Sequence, residues 1–252
     1  MKKLKLRERI LAYGGPGSGK TYSWMKLAAL FKDSHFHVID TEIGAERSLA
    51  EFPKITNVTI YEAIDWPDYE NAQKEIIPKV KLDDWVVIDS ADKPYSAVQR
   101  YFINEVFKKD MGVYFLDARK QIAAKKKDVK SLFTGKDAAL KGWLDWPVIN
   151  AMYNDFIYDF IYRTKAHLYI VTPADKVSEE DSKETRNLYG ASGLKPVGQK
   201  MLGHQPDTVL LMSHSPAGYA ATTVKDRGGR EYMDDNKITN FAIQYGKVAG
   251  WL

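Results

Sequence analysis

Apolar runs of four or five residues recur along the chain, at Ile10 to Tyr13, Phe36 to Ile39, Asn57 to Tyr61, Trp85 to Ile88, Leu168 to Val171 and Thr208 to Met212. A strand covered on both faces needs a continuous apolar run, so these predict a largely parallel sheet. Between them the patterns over Lys20 to Phe31, Trp66 to Val80, Pro94 to Lys108 and Trp146 to Arg163 predict helices. Strands alternating with helices imply an α/β fold, a three-layer sandwich. After the last run, Gly218 to Val224 and the stretch "KDRGGREY" predict an antiparallel hairpin extension of the sheet, with Gly228 and Gly229 in its turn.

Two stretches interrupt this alternation and are expected to be loop insertions, at 119–145 and 174–198. Arg119 to Lys141 carries Arg119 and lysines 120, 125, 126, 127, 130, 136 and 141 against Asp128 and Asp137, with Phe133 and Trp143 close by. Ala174 to Gly198 is polar and includes Glu179, Glu180, Asp181 and Glu184. Long irregular segments inside a compact domain are usually functional or disordered. With 252 residues the chain is long enough for one α/β domain, 1–252, in which 235–252 reads as a C-terminal tail.

Composition narrows the chemistry. Cysteine is absent, which removes disulfides, zinc–thiolate sites and thiol nucleophiles and fits a cytoplasmic protein. The formal charge of +4 is too mild to indicate a nucleic-acid binder without regard to where the cations lie. The basic start "MKKLKLRERILAYGG" has too short an apolar run for a signal peptide, and no later run reaches the length of a membrane span, so no membrane partner is expected. His35 and His37 alternate on a predicted strand without partners at ligand spacing. The tryptophans after Asp65, Asp84 and Asp145 read as core and helix-start residues.

The sharpest motif is "GGPGSGKTY". Gly14, Gly19, Lys20 and Thr21 satisfy G-x-x-x-x-G-K-[ST] between a predicted strand and a predicted helix. In such a loop, backbone N–H groups and a helix N-terminus surround a phosphate chain. The nucleotide-binding run is Gly14, Gly15, Pro16, Gly17, Ser18, Gly19, Lys20, Thr21 and Tyr22. Lys20 is expected to reach the β- and γ-phosphates and the Thr21 hydroxyl to ligate Mg²⁺. "DDWVVIDS" ends a buried strand with Asp89, placed to hold the same magnesium through water.

Ser90, not a glutamate, follows Asp89, so a water-activating base must come from elsewhere. "FHVIDTEIGAERS" offers Glu42, 22 residues after Lys20 and at the C-terminal edge of the neighbouring strand. Asp40 or Glu46 could instead cap the following helix.

With these residues in view, "HVIDTEIGA" resembles the strand of RecA-type recombinases that carries the catalytic glutamate. The order of phosphate loop, Glu42 strand, "VVIDS", "LYIVTPADK", "GLKPVGQKMLGHQPDTVLLM" and "TVKDRGG" resembles the RecA-core ATPases of phages and archaeal viruses implicated in single-strand annealing and recombination. The resemblance implies a RecA-like P-loop sheet, ATP and Mg²⁺ as cofactors, Glu42 as catalytic base, single-stranded DNA as partner and a homo-oligomer. It places the DNA loops in the two irregular segments. Lys225 and Arg227, in a K-x-R-x-G pattern, resemble hairpin cations that enter a neighbouring subunit's active site; two ordinary surface cations are the alternative. Thr172 and Pro173 stand where RecA has a γ-phosphate-sensing glutamine. Rival readings are a ring translocase or DNA-packaging motor and, in another class, a small-molecule or nucleotide kinase with Arg119 to Lys141 as its lid.

Overall fold

The computed structural model describes residues 7–124, 140, 144–199, 202–229, 236–237 and 241–252. Its sheet runs in the order β3 (Val58–Glu62), β2 (Phe36–Asp40), β4 (Trp85–Asp89), β5 (His167–Lys176), β1 (Arg9–Gly14), β7 (Thr208–Ser215), β8 (Gly218–Asp226) and β9 (Asn236–Lys237). From β3 to β7 every pairing is parallel; β7, β8 and β9 are antiparallel. A short β6 (Leu194–Pro196) pairs antiparallel with the end of β5. Each predicted strand is found, and the fold is the expected α/β sandwich with a hairpin extension.

The central strands alternate between two cores, which is why their sequences are apolar without a break. On β1, Ile10 and Ala12 join a cluster with Trp24, Phe36, Trp85 and Tyr245, whereas Leu11 and Tyr13 join Trp66, Tyr69, Phe156 and Phe160. The first cluster is covered by α1 (Lys20–Leu30) and α8 (Phe241–Val248), the second by α3 (Trp66–Ile76), α4 (Asp92–Phe107) and α6 (Asp145–Tyr162). Three layers result.

Helix ends follow local chemistry. Asp65 and Asp68 form a reciprocal capping box at the start of α3, and Pro78, which has no N–H, follows its end. That stops α3 at Ile76, four residues short of the expected Val80. The helix expected from Pro94 begins at Asp92 because proline is tolerated in a first turn, where N–H groups lack intrahelical partners anyway.

Three expectations about irregular segments change. The stretch from Arg119 begins as helix, since α5 (Met111–Ala124) runs into it; lysines 125, 126, 127, 130, 136 and 141, with Phe133 and Trp143, lie outside the described residues. The stretch 174–198 is only partly irregular. It holds the end of β5, α7 (Lys183–Tyr189), whose Thr185 N–H is capped by Ser182 Oγ, and β6. The stretch read as a tail contains α8, which buries Phe241, Ala242 and Tyr245 against α1. Its spacing of apolar residues at i, i+1 and i+4 was the available signal.

The strand histidines are structural. His35 meets Thr59 and His37 meets Tyr61, while burial pushes the His37 imidazole down to about 4 and keeps it neutral. Among the described residues no group of three or more His, Cys, Asp or Glu side chains could hold a metal ion, and no helix is long and apolar enough to cross a membrane.

Candidate nucleotide site

Parallel pairing aligns the C-terminal ends of five strands. Asp40 is in register with Asp89, Asp89 with Val171, and Gly14 with both Pro173 and Met212. Ligands of open α/β sheets bind at this edge. A cleft of about 940 Å³ opens there, lined by the phosphate loop, Glu42, Asp89 and Ser90 together with Tyr22, Glu51 and Tyr219.

The loop's glycines have separate reasons. At Gly14 a Cβ would fall 2.1 Å from the Met212 carbonyl oxygen and 2.6 Å from Ser18 Oγ, because β1 and β7 pack backbone to backbone there. Gly19 has φ of 86°, the left-handed region that turns the strand into α1. A Gly14→Ala chain is expected to lose about 1–3 kcal/mol of stability by overpacking and to lose its nucleotide-dependent rise in melting temperature. Thermal unfolding with and without Mg-ATP measures both.

The start of α1 differs from those of α3 and α7. No side chain caps it and its first turn holds no acidic residue, so its N–H groups and partial positive charge face the cleft. Lys20 Nζ curls back to donate to the carbonyls of Gly14 at 3.0 Å and Gly15 at 2.8 Å. Burial lowers its pKa, against the opposing pull of Asp89, Glu42 and Asp92. Ser18 Oγ is buried in the loop and meets no hydrogen-bond partner among the described residues.

Thr21 Oγ1 donates to Asp89 Oδ2 at 2.8 Å, and Trp24 Nε1 donates to the same oxygen at 3.0 Å. Burial pushes the Asp89 carboxyl up to about 6, with the two donors working in the opposite direction. A hydroxyl and a carboxylate at hydrogen-bond distance beside a phosphate loop are an oxygen donor pair of the kind a hard cation takes. The Ser18 hydroxyl, the start of α1 and this pair fit a nucleoside triphosphate with magnesium. The Asp89–Ser90 peptide is cis.

Asp40 and Glu42 separate in role. Both Asp40 oxygens are taken by backbone N–H groups, Oδ1 by Glu42 and Oδ2 by Ala45 at the start of α2 (Ala45–Leu49), so Asp40 is the cap. Glu46 lies in the first turn of α2 and is exposed. Glu42 is left with its side chain 55% exposed over the cleft, 3.5 Å from Ser90 Oγ and 3.6 Å from Lys93 Nζ. The next residue, Ile43, has φ of 53°, a strained conformation for a β-branched side chain.

The structure does not bring Lys225 and Arg227 to the phosphate loop of their own chain. The tight β7–β8 turn is at Pro216 and Ala217, and the "KDRGG" stretch is the far end of β8, where Asp226 pairs with Thr208 beside Ile10. This is the opposite edge of the sheet, about 13 Å of strand away. Lys225 Nζ donates to the carbonyls of Gly203, His204 and Pro206 at 3.0–3.2 Å. Arg227 donates to the His204 carbonyl and pairs with Asp207, which also holds Arg9. Thr172 likewise faces away from the cleft and donates to the Val197 carbonyl at 2.6 Å, tying the tip of β5 to the segment after β6.

Three side chains in or behind the cleft carried no motif. Tyr219, at the β7–β8 tip, packs its ring beside Gly19 and stacks on His214. Trp24 looks like core, as an indole four residues after the loop lysine, yet it is bonded to Asp89. Lys93 reads as a surface lysine until β2 and β4 are paired.

A strand, a glycine-rich phosphate loop and a helix at the carboxyl edge of a mainly parallel sheet, extended by an antiparallel hairpin, define the RecA-like P-loop fold. The chain is similar to the crystal structure of the RadB recombinase, with a TM-score of 0.52 and 14% identity over 89% of this chain and 83% of that one. No protein-family model and no curated protein matches the sequence.

Proposed function

We propose that this chain is a magnesium-dependent ATPase of the short RecA-core type that works on single-stranded DNA as an oligomer, in recombination or annealing. The observation that carries the reading is the convergence of Lys20, Thr21, Asp89 and Glu42 on one cleft beside an uncapped α1. The RecA-like fold, shared with a protein described as a recombinase, supports the choice of task.

The loop N–H groups and Lys20 bind and orient the β- and γ-phosphates. Thr21 and Asp89 would hold Mg²⁺, which when bound neutralises charge on those phosphates. Glu42 accepts a proton from the water that attacks the γ-phosphorus. Tyr22 and Tyr219, which also line the cleft, offer ring surfaces to a base and ribose. Lys225 has committed its three N–H donors to carbonyls, so of the two hairpin cations we assign the contact with a neighbouring subunit's nucleotide to Arg227, whose side chain is 53% exposed.

The test is ATP hydrolysis measured with and without single-stranded DNA across protein concentrations. Stimulation by DNA and a specific activity that rises with concentration are expected. No stimulation, together with phosphoryl transfer to a small acceptor, would replace this reading with a kinase.

A further inference from the structure

Lys93 is the second residue of α4, and its ammonium lies 3.6 Å from Glu42 Oε1 and 3.7 Å from Asp92 Oδ2. Ser90, which lines the cleft, donates to Asp92 Oδ1 at 2.6 Å, so the first turn of α4 is fastened to the end of β4. The sequence conceals this meeting, because Glu42 and Lys93 become neighbours only through the pairing of β2 with β4.

Lys26 lies over the rings of Tyr22 and Phe52, and Lys225 and Arg227 lie at the opposite sheet edge, away from this chain's own phosphate loop. Lys93 is half exposed, and its contacts with Glu42 and Asp92 are both longer than a close ion pair, so turning it toward a more highly charged oxygen costs little. The surroundings make a further cation useful. Lys20 already faces the three carboxylates of Asp89, Glu42 and Asp92, and a triphosphate adds more negative charge to the same end.

We propose that Lys93 is a further catalytic residue, a cation supplied from the same chain that turns from Glu42 to the γ-phosphoryl oxygens as hydrolysis proceeds. This rests on the hydrolytic reading above. In the step, the water oxygen bonds to the γ-phosphorus while the bond from that phosphorus to the β–γ bridging oxygen breaks. Glu42 receives the water's proton and ADP leaves with the electron pair of the broken bond. Lys93 transfers no proton. It releases the Glu42 carboxylate to act as base and offsets charge on the γ-phosphoryl group.

The test compares the unaltered chain with Lys93→Met and Lys93→Arg, first checked for equal melting temperatures. Affinity for Mg-ADP and for Mg-ADP with aluminium fluoride, a γ-phosphoryl mimic, is measured alongside kcat and KM. In Lys93→Met, ADP affinity should stay within about twofold, while affinity for the aluminium fluoride complex and kcat fall about 10²-fold with KM little changed. Lys93→Arg should recover part of both. Equal loss of the two affinities, or no change in either affinity or kcat, would show an ordinary surface ion pair and overturn the proposal. Failure of the unaltered protein to bind ADP would be a different result, sinking the nucleotide reading and the role of Lys93 with it.

Discussion

A Glu42→Gln chain is expected to hydrolyse ATP about 10²- to 10⁴-fold more slowly than the unaltered protein while binding Mg-ATP with nearly the same affinity. The amide keeps the length and shape of the side chain and can still meet Ser90, but it cannot accept the water's proton and no longer pairs with Lys93. Asp40 cannot take over, since it is buried and both its oxygens are already bonded to backbone N–H groups. Single-turnover hydrolysis combined with equilibrium nucleotide binding distinguishes the outcomes. Retained turnover would place the base elsewhere, and parallel loss of binding would make Glu42 a ligand of the nucleotide instead.

A Lys20→Ala chain is expected to lose affinity for Mg-ATP by about 10²-fold or more, since truncating one partner of a desolvated charge pair leaves the other uncompensated. The lysine is the cation inside the loop, and the carboxylates of Asp89, Glu42 and Asp92 act on its charge. Without the ammonium those carboxylates repel a triphosphate. Fold stability should change little, because Lys20 bonds only the carbonyls of Gly14 and Gly15 and packs no core. The measurement is the rise in melting temperature on adding Mg-ATP, which should vanish while the melting temperature of the protein alone is kept. A preserved rise would remove Lys20 from the site.

Much of this was legible along the chain where the physics is local. Strands buried on both faces need continuous apolar runs, and all six such runs are strands of the sheet. The phosphate loop is read from spacing because it is built within one strand-to-helix turn, where glycines answer to backbone geometry over a few residues. The choice among Asp40, Glu42 and Glu46 was less accessible. All three carboxylates suit a cap or a base, and hydrogen bonds to the N–H groups of Glu42 and Ala45 separate them. The expected loop at 174–198 was misread for a related reason. Its polar, glycine-bearing composition hides a short helix with a serine cap and a strand completed only by pairing with the end of β5.

Lys225 and Arg227 show the same limit from the other direction. The pattern K-x-R-x-G is plain, but which end of the sheet it occupies depends on the β7–β8 register, and that register sets it beside Thr208 rather than Gly14. Sequence alone was enough for the parallel sheet, the glycine-rich strand-to-helix loop, and the roles proposed for Lys20, Thr21 and Asp89, because each is encoded in contiguous residues. Tertiary structure decided that Glu42 keeps its carboxylate exposed at the cleft, that Lys93 stands beside it and that the hairpin cations are turned to the far edge. Those three facts depend on strand order and register, which bring together residues dozens of positions apart and leave no trace in any single stretch of the chain.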